Sequence, residues 1–467
     1  MDKLVEKIDA FIAENEQNYI RDIQTLVRIK SIADPNTDVK PFGQGCRDVL
    51  DTALEMGKNM GFDTENYEYY CGSVSIGDKN KKDIAIWSHL DVVPEGDESD
   101  WAFPPYSGEF KDGYIFGRGC SDNKAAAVMA LYILKFLKEN NIPLNYQIKL
   151  MLGCSEETTM ADTKYYLEHY KPNDLALIAD TDFPVCYAEK GIYEANIEWN
   201  AEGTNLISFD GGLASNVVPD KAIVKLKNLN GITSLPDTEW VTPSIDGDII
   251  TLNCKGTSAH AAWPEGAQNA ISSAASYLLA NNLLDDKLIP IFTFIENAAG
   301  TCHGEAYGIA FEDEITGILT CNSGMLHLKD GVLTLNMNIR YPVSDTGEAI
   351  TSGITNAVSA SGGKLVWFND NKGFAFDKNH PAVSMLTDIY NELTGENKEP
   401  YTMGGGTYAR KLPNAISFGP GLGWPKLPMA PGHGGAHQPD EHYSIASFKM
   451  SLKIYILSIL RLNEIEI

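Results

Sequence analysis

Little in this sequence suits a disulfide framework. Among 467 residues there are eight cysteines, at 46, 71, 120, 154, 186, 254, 302 and 321, and none forms a C-x-x-C pair. A chain this long needs no covalent staples, so reduced, mostly buried thiols and a cytoplasmic location are expected. Long apolar runs are also missing. No stretch reaches the ~18 uninterrupted apolar residues that a bilayer span requires. The start is charged from Asp2 onward and has no apolar core, so no signal peptide is expected. Positive charge is scarce, with 37 Lys+Arg against 63 Asp+Glu and a net charge of −26. That field disfavours nucleic acid and anionic membranes as partners and concentrates cations around the chain.

What is present reads as an ordinary globular composition, 43% hydrophobic and 21% charged. At about 100–200 residues per domain, the length allows two or three units. Residues 2–30 and Arg47–Met60 carry helical apolar spacing. "DIAIWSH" (83–89), "YQIKLMLG" (146–153) and "DLALIAD" (174–180) are short, continuous apolar runs, the pattern of strands covered on both faces. An Ala- and Leu-rich helix, "DNKAAAVMALYILKFLKEN" (122–140), lies between the first two. This alternation predicts a mostly parallel sheet sandwiched by helices.

From about residue 185 the texture changes to alternating segments such as "KAIVKLKN" (221–228) and "GVLTLNMNIRY" (331–341), with a helix at 269–284 among them. Period-two patterning predicts antiparallel strands with one wet face, hence an inserted α+β lid domain with an antiparallel sheet. After 380, "HPAVSMLTDIYNELTG", "NAISFGPG" and a closing helix over 443–463 return to the first texture. The expected domains are therefore 1–184 and 380–467 for the catalytic part and 185–379 for the lid, which has room for two subdomains.

The apolar strands end in polar clusters: His89 and Asp91, Glu156 and Glu157, Asp180 and Asp182. Asp122 stands in the turn before the Ala-rich helix, and His433 and His437 follow "NAISFGPG". In an open parallel sheet, loops at the carboxyl ends of strands converge on one crevice. Each cluster alone has a plain explanation: an incidental His-x-Asp, or helix caps at "SEETT" and Asp122. Their concentration at one sheet edge favours a different reading. Crowded carboxylates repel unless cations neutralise them, and imidazole with carboxylate suits divalent metals.

"SHLDVVPEGD", "GRGCSDNKAA", "SEETTMAD", "ADTDFPV…EKG" and "AHQPDE" together resemble the motif set of the co-catalytic two-zinc metallopeptidases, a family that includes aminoacylase, glutamate carboxypeptidase and the cytosolic dipeptidases. "GGLASNVVP", "GTSAHAAWPEGAQNA", "NIRYP" and "GGGTYAR" bring the likeness nearest to the dipeptidase V branch. The resemblance implies that His89 and Asp180 bind one metal, that Glu157 and His437 bind another, and that Asp122 bridges them. It implies two divalent ions, Zn²⁺ first, with Mn²⁺ or Co²⁺ as alternatives, and a bridging hydroxide. Asp91 would orient the His89 imidazole from behind, and Glu156 would act as general base. His260 would stabilise the oxyanion, Arg340 would hold a substrate carboxylate, and Asn216 would add a hydrogen bond. The N–H groups of Gly405 and Gly406 would receive a peptide carboxylate, since no Lys-Ser/Thr follows them as a phosphate loop requires.

A metallo-dipeptidase acting on a small peptide, as a monomer, is the function so implied. The alternatives are an N-acyl-amino-acid deacylase or desuccinylase on the same fold, and a non-catalytic peptide-binding protein.

Overall fold

The computed structural model describes residues 2–424 and 427–467. The chain divides into two compact units, one made of 1–187, 376–401 and 407–467, the other of 188–375 and 402–406. This division runs at 187/188 and 375/376, where the sequence reading expects 184/185 and 379/380. The short return of Thr402–Gly406 to the second unit differs from the expectation, which left it in the catalytic part.

In the first unit, Asp83–His89 runs parallel to both Gln147–Gly153 and Leu175–Ile178. Ala415–Phe418 extends the parallel set beside Leu175–Ile178. Cys71–Ile76 and Asp63–Tyr67 add antiparallel strands at one side, and Val185–Glu189 adds one at the other. All seven residues of Asp83–His89 are buried, as a strand covered on both faces must be. Helices Gln44–Asn59, Ala125–Glu139, Pro381–Thr394 and Ile445–Leu462 supply the cover. The helical spacing over 2–30 resolves into two helices, Asp2–Glu14 and Glu16–Val27, broken at Asn15, whose side-chain amide donates to the Phe11 carbonyl. The Ala-rich helix starts at Ala125. Cys120–Lys124 before it forms a wider turn in which Asp122 is off-helical (φ −125°, ψ 86°), so Asp122 is freed from capping.

The second unit carries an eight-stranded antiparallel sheet. Its order is Val241–Asp246, Ile249–Lys255, Lys221–Lys227, Leu206–Gly211, Thr320–Lys329, Val332–Tyr341, Gly191–Asn200 and Lys364–Asn371. Gly191–Asn200 alternates fully and partly buried residues along its length, the period-two signature of its sequence. Helices Ala270–Ala280 and Ile289–Gly300 pack with it around one apolar core that includes Trp199, Phe209, Ile271 and Phe292.

Candidate active site

The strand Asp83–His89 delivers its last residue to the carboxyl edge of the sheet. There His89 is buried, and its Nδ1 lies 2.9 Å from the main-chain oxygen of Asp91. Donation from Nδ1–H to that carbonyl fixes the ring so that Nε2 faces outward: it donates to a carboxylate when the ring is protonated and is the nitrogen a cation would take when the ring is neutral. The Asp91 carboxylate lies farther off, its Oδ1 3.5 Å from Nδ1. Asp91 thus stands behind the imidazole as expected, with its main-chain oxygen making the closer contact and its carboxylate the longer one. The carboxylate also takes two amides, Glu156 N–H at Oδ1 and Glu157 N–H at Oδ2, both at 3.0 Å. A fully buried carboxylate has four lone-pair sites to satisfy, and two fixed amides on the next loop serve it well.

Asp122 faces two imidazoles at once. Its Oδ1 lies 2.9 Å from His89 Nε2, and its Oδ2 lies 3.2 Å from His437 Nε2. His437 Nε2 is also 3.0 Å from Glu157 Oε1. Asp180 Oδ2 stands 3.8 Å from His89 Nε2, while its Oδ1 accepts a 2.7 Å bond from the Asn123 amide. The five expected ligands therefore form two groups that share Asp122: His89 with Asp180, and His437 with Glu157. Glu156 is buried beside them, and its Oε1 has no hydrogen-bond partner among the described residues.

The electrostatics follow from crowding. Burial, then the neighbouring carboxylates, pushes Asp180 up to about 7. Glu156 and Glu157 are raised for the same reasons, burial first. Burial also works against the Asp122 anion, but the hydrogen bonds from His437 and His89 outweigh it and hold Asp122 well below the usual carboxylate range. The carboxylates of Asp122 and Glu157 raise His437 to about 10. Burial disfavours a charged His89, yet Asp122 and Asp180 pull its pKa well above the ordinary value.

This donor set fits divalent cations. Among the described residues, ligand atoms of His89, Glu156 and Asp180, and of His89, Asp122 and Glu157, each lie within 4.8 Å of one another. Imidazole with carboxylate oxygen, excess negative charge and an orphaned buried oxygen on Glu156 are what a cation would satisfy. Proximity alone does not separate Glu156 from the ligands. Its orphaned oxygen and the pairing of Glu157 with His437 do distinguish the two glutamates.

The second unit gathers three other expected residues. Val217 and His260 form an isolated antiparallel bridge, and Ala261 N–H donates to the Asn216 carbonyl at 2.9 Å. Arg340 lies opposite Thr320, whose hydroxyl donates to the Ala261 carbonyl at 2.9 Å. His260 Nδ1 accepts the Ala262 N–H at 3.1 Å, which leaves the proton on Nε2. Burial and then Arg340 lower the His260 pKa, so the ring is neutral near pH 7. Arg340 spends Nε on Asn338 and Nη1 on the Gly404 carbonyl, both at 2.8 Å. Gly405 and Gly406 follow directly in that segment.

The sequence profile of peptidase family M20/M25/M40 matches residues 85–461. The chain belongs to this family. "Putative dipeptidase YtjP" of Bacillus subtilis (strain 168) is 32% identical over 471 residues, covering 97% of this chain and 99% of that protein. A "Putative dipeptidase" of Staphylococcus epidermidis is 31% identical, covering 87% and 90%. The fold is that of the dipeptidase Dug1p from Saccharomyces cerevisiae, at a TM-score of 0.60 and 12% identity with 100% of both chains covered. Human carnosine dipeptidase 1 shares it at 0.59 and 14%, covering 99% of this chain and 100% of that one. This M20-family chain is thus a hydrolase of the metallopeptidase class, with a catalytic unit and an antiparallel lid unit. No helix among its described residues is long and apolar enough to cross a membrane.

Sequence reasoning missed several supports of this peptidase's site. Glu441, buried, accepts Ser121 N–H and Asp122 N–H at 2.9 and 3.1 Å, Gly119 N–H at 3.0 Å and Arg118 Nη1 at 2.6 Å. One carboxylate thus ties the Asp122 turn to the chain four residues after His437. The signal was in the "AHQPDE" motif, whose last residue it is. Asn123, which holds Asp180, gave no signal beyond its place next to Asp122. His433, the other histidine of that loop, pairs with Asp440 at 3.0 Å.

Proposed function

We propose that this peptidase hydrolyses dipeptides that carry a free C-terminal carboxylate, with Glu156 as general base and two divalent cations as cofactors. The observation that carries the reading is the division of Asp122: one oxygen faces His89, the other His437. Such a carboxylate is suited to serve two cations, one held with His89 and Asp180, the other with Glu157 and His437. Zn²⁺ is the first candidate, and Mn²⁺ and Co²⁺ accept the same donors. When bound, the cations supply positive charge to a developing oxyanion and lower the pKa of water towards neutrality. Glu156 is assigned to take a proton and return it to the leaving amine, a role its buried, unpartnered Oε1 supports. His260, neutral with Nε2–H available, suits donation to a carbonyl oxygen that gains charge. Arg340 and the Gly405–Gly406 amides are assigned to the terminal carboxylate, and Asn216 to a further hydrogen bond. The reading takes the protein as a monomer, so mixed Glu156→Ala and His260→Ala variants are expected to restore no activity.

The test is a panel of dipeptides and N-acetyl amino acids, assayed after chelation and after re-addition of Zn²⁺, Mn²⁺ or Co²⁺. Cation-dependent cleavage of dipeptides alone is expected. Cleavage of N-acetyl amino acids alone would make the protein a deacylase. Tight peptide binding with no turnover would make it a binding protein.

A further inference from the structure

Resting on that reading, we propose that Asp162 and Tyr408 are positioning residues for the turn that carries Glu156 and Glu157. Four successive amides, 154 to 157, are all given to side-chain carboxylates. Cys154 and Ser155 N–H donate to Asp162 Oδ2 at 2.8 and 2.9 Å, and Glu156 and Glu157 N–H donate to Asp91. The turn hangs from two buried anions rather than from a strand or helix ladder.

Asp162 is itself held. Its Oδ1 accepts Thr163 N–H at 2.7 Å, and its Oδ2 also accepts the Tyr408 hydroxyl. Both side chains are buried. Tyr408 packs edge-on to Trp87, with ring centroids 5.4 Å apart, so the phenol has little freedom to leave. The last residue of the preceding strand leaves room for this pair only because it is Gly153: a Cβ there would lie 1.9 Å from the Tyr408 oxygen and 2.7 Å from Asp162 Oδ2.

Burying such a carboxylate is unfavourable for folding compared with an apolar side chain of similar volume. What the arrangement provides is a fixed path for residues 154–157, whose two glutamates must point in different directions. The "GGGTYAR" segment therefore has a second use: its Tyr408 enters the first unit and locks the base turn through Asp162.

Two variants test this. Tyr408→Phe keeps the ring and removes the hydroxyl. Asp162→Asn sets an amide donor where a carboxylate oxygen accepts an N–H. Hydrogen exchange by mass spectrometry on the cation-loaded protein reads the turn directly. In both variants, amides 154–157 are expected to exchange about tenfold or more faster, while the strand Gln147–Gly153 keeps its protection. In steady-state assays kcat is expected to fall about 10- to 100-fold with KM little changed, since misplacing a catalytic group by about 1 Å costs that much. Unchanged exchange in both variants would overturn the proposal. So would faster exchange with an unchanged kcat, which would reduce the pair to a structural role. If the wild type cleaves no dipeptide, the functional reading falls, and the exchange result still decides whether the pair holds the turn.

Discussion

At residue scale the proposed chemistry turns on two adjacent glutamates given different surroundings. Glu157 Oε1 sits 3.0 Å from His437 Nε2, whereas Glu156 Oε1 is buried and unpartnered among the described residues. Glu156→Ala is therefore expected to lower kcat by about 10²–10⁴-fold or more while the bound cations stay. Glu157→Ala is expected to lose cation. Activity assays paired with metal analysis check this, and equal metal content in the two variants would refute the division. Asp91→Asn places an amide donor against one of the two N–H groups its carboxylate accepts, so it should disturb the Glu156–Glu157 turn more than the His89 ring. Its kcat should drop with His89-side metal retained. The candidate ligands could be picked out because imidazole and carboxylate at strand ends carry a recognisable chemistry. The amide bonds of Asp91, Asp162 and Glu441 were not, because which N–H groups a buried carboxylate meets depends on turns that no spacing rule predicts.

At the scale of elements, the continuous apolar runs announced the parallel strands, since burial on both faces removes polar alternation. Helix Ile289–Gly300 went unread because "IPIFTFIENAAG" is apolar through most of its length and shows no clear polar face. The strand Gln147–Gly153 offers a sharp test of how tightly the elements meet. Gly153→Ala would force a Cβ to within 1.9 Å of the Tyr408 oxygen. Overpacking of this kind typically costs about 1–3 kcal/mol, and more where the neighbours cannot move. A urea denaturation midpoint should show that loss. Gly96→Ala, where nothing stands within 4 Å, removes only the conformational freedom that its φ of 75° uses and should cost less.

The whole molecule carries a net charge of −26 and concentrates part of it in one buried cluster. Without cations, Asp180 is raised to about 7 and Asp162 to about 6, from an ordinary 3.8. Each binds its proton more tightly when folded, so stability is lost as pH rises from 3.8 through those values. His437, raised to about 10 from 6.5, adds stability that is complete below 6.5 and is lost as pH climbs through 10. The cation-free protein should therefore melt progressively lower from pH 5 to 8. Cations that take over the same groups should remove much of that slope. At a free concentration about 100 times Kd, one bound cation adds about 2.7 kcal/mol. The gap in Tm between loaded and chelated protein should widen with pH, as calorimetry can show. The two-unit organisation was legible in the change from continuous to alternating apolar pattern near 185. The return of Thr402–Gly406 was not, because it rests on pairings such as Lys190 N–H to the Met403 carbonyl at 2.9 Å, invisible in a glycine-rich stretch. The most direct measurement is the cation stoichiometry of the purified protein and of Asp122→Asn, by equilibrium dialysis and elemental analysis. The account predicts two divalent ions per chain in the wild type and weakened binding of both in the variant. A wild type that holds none, or a variant that keeps both at unchanged affinity, would contradict it.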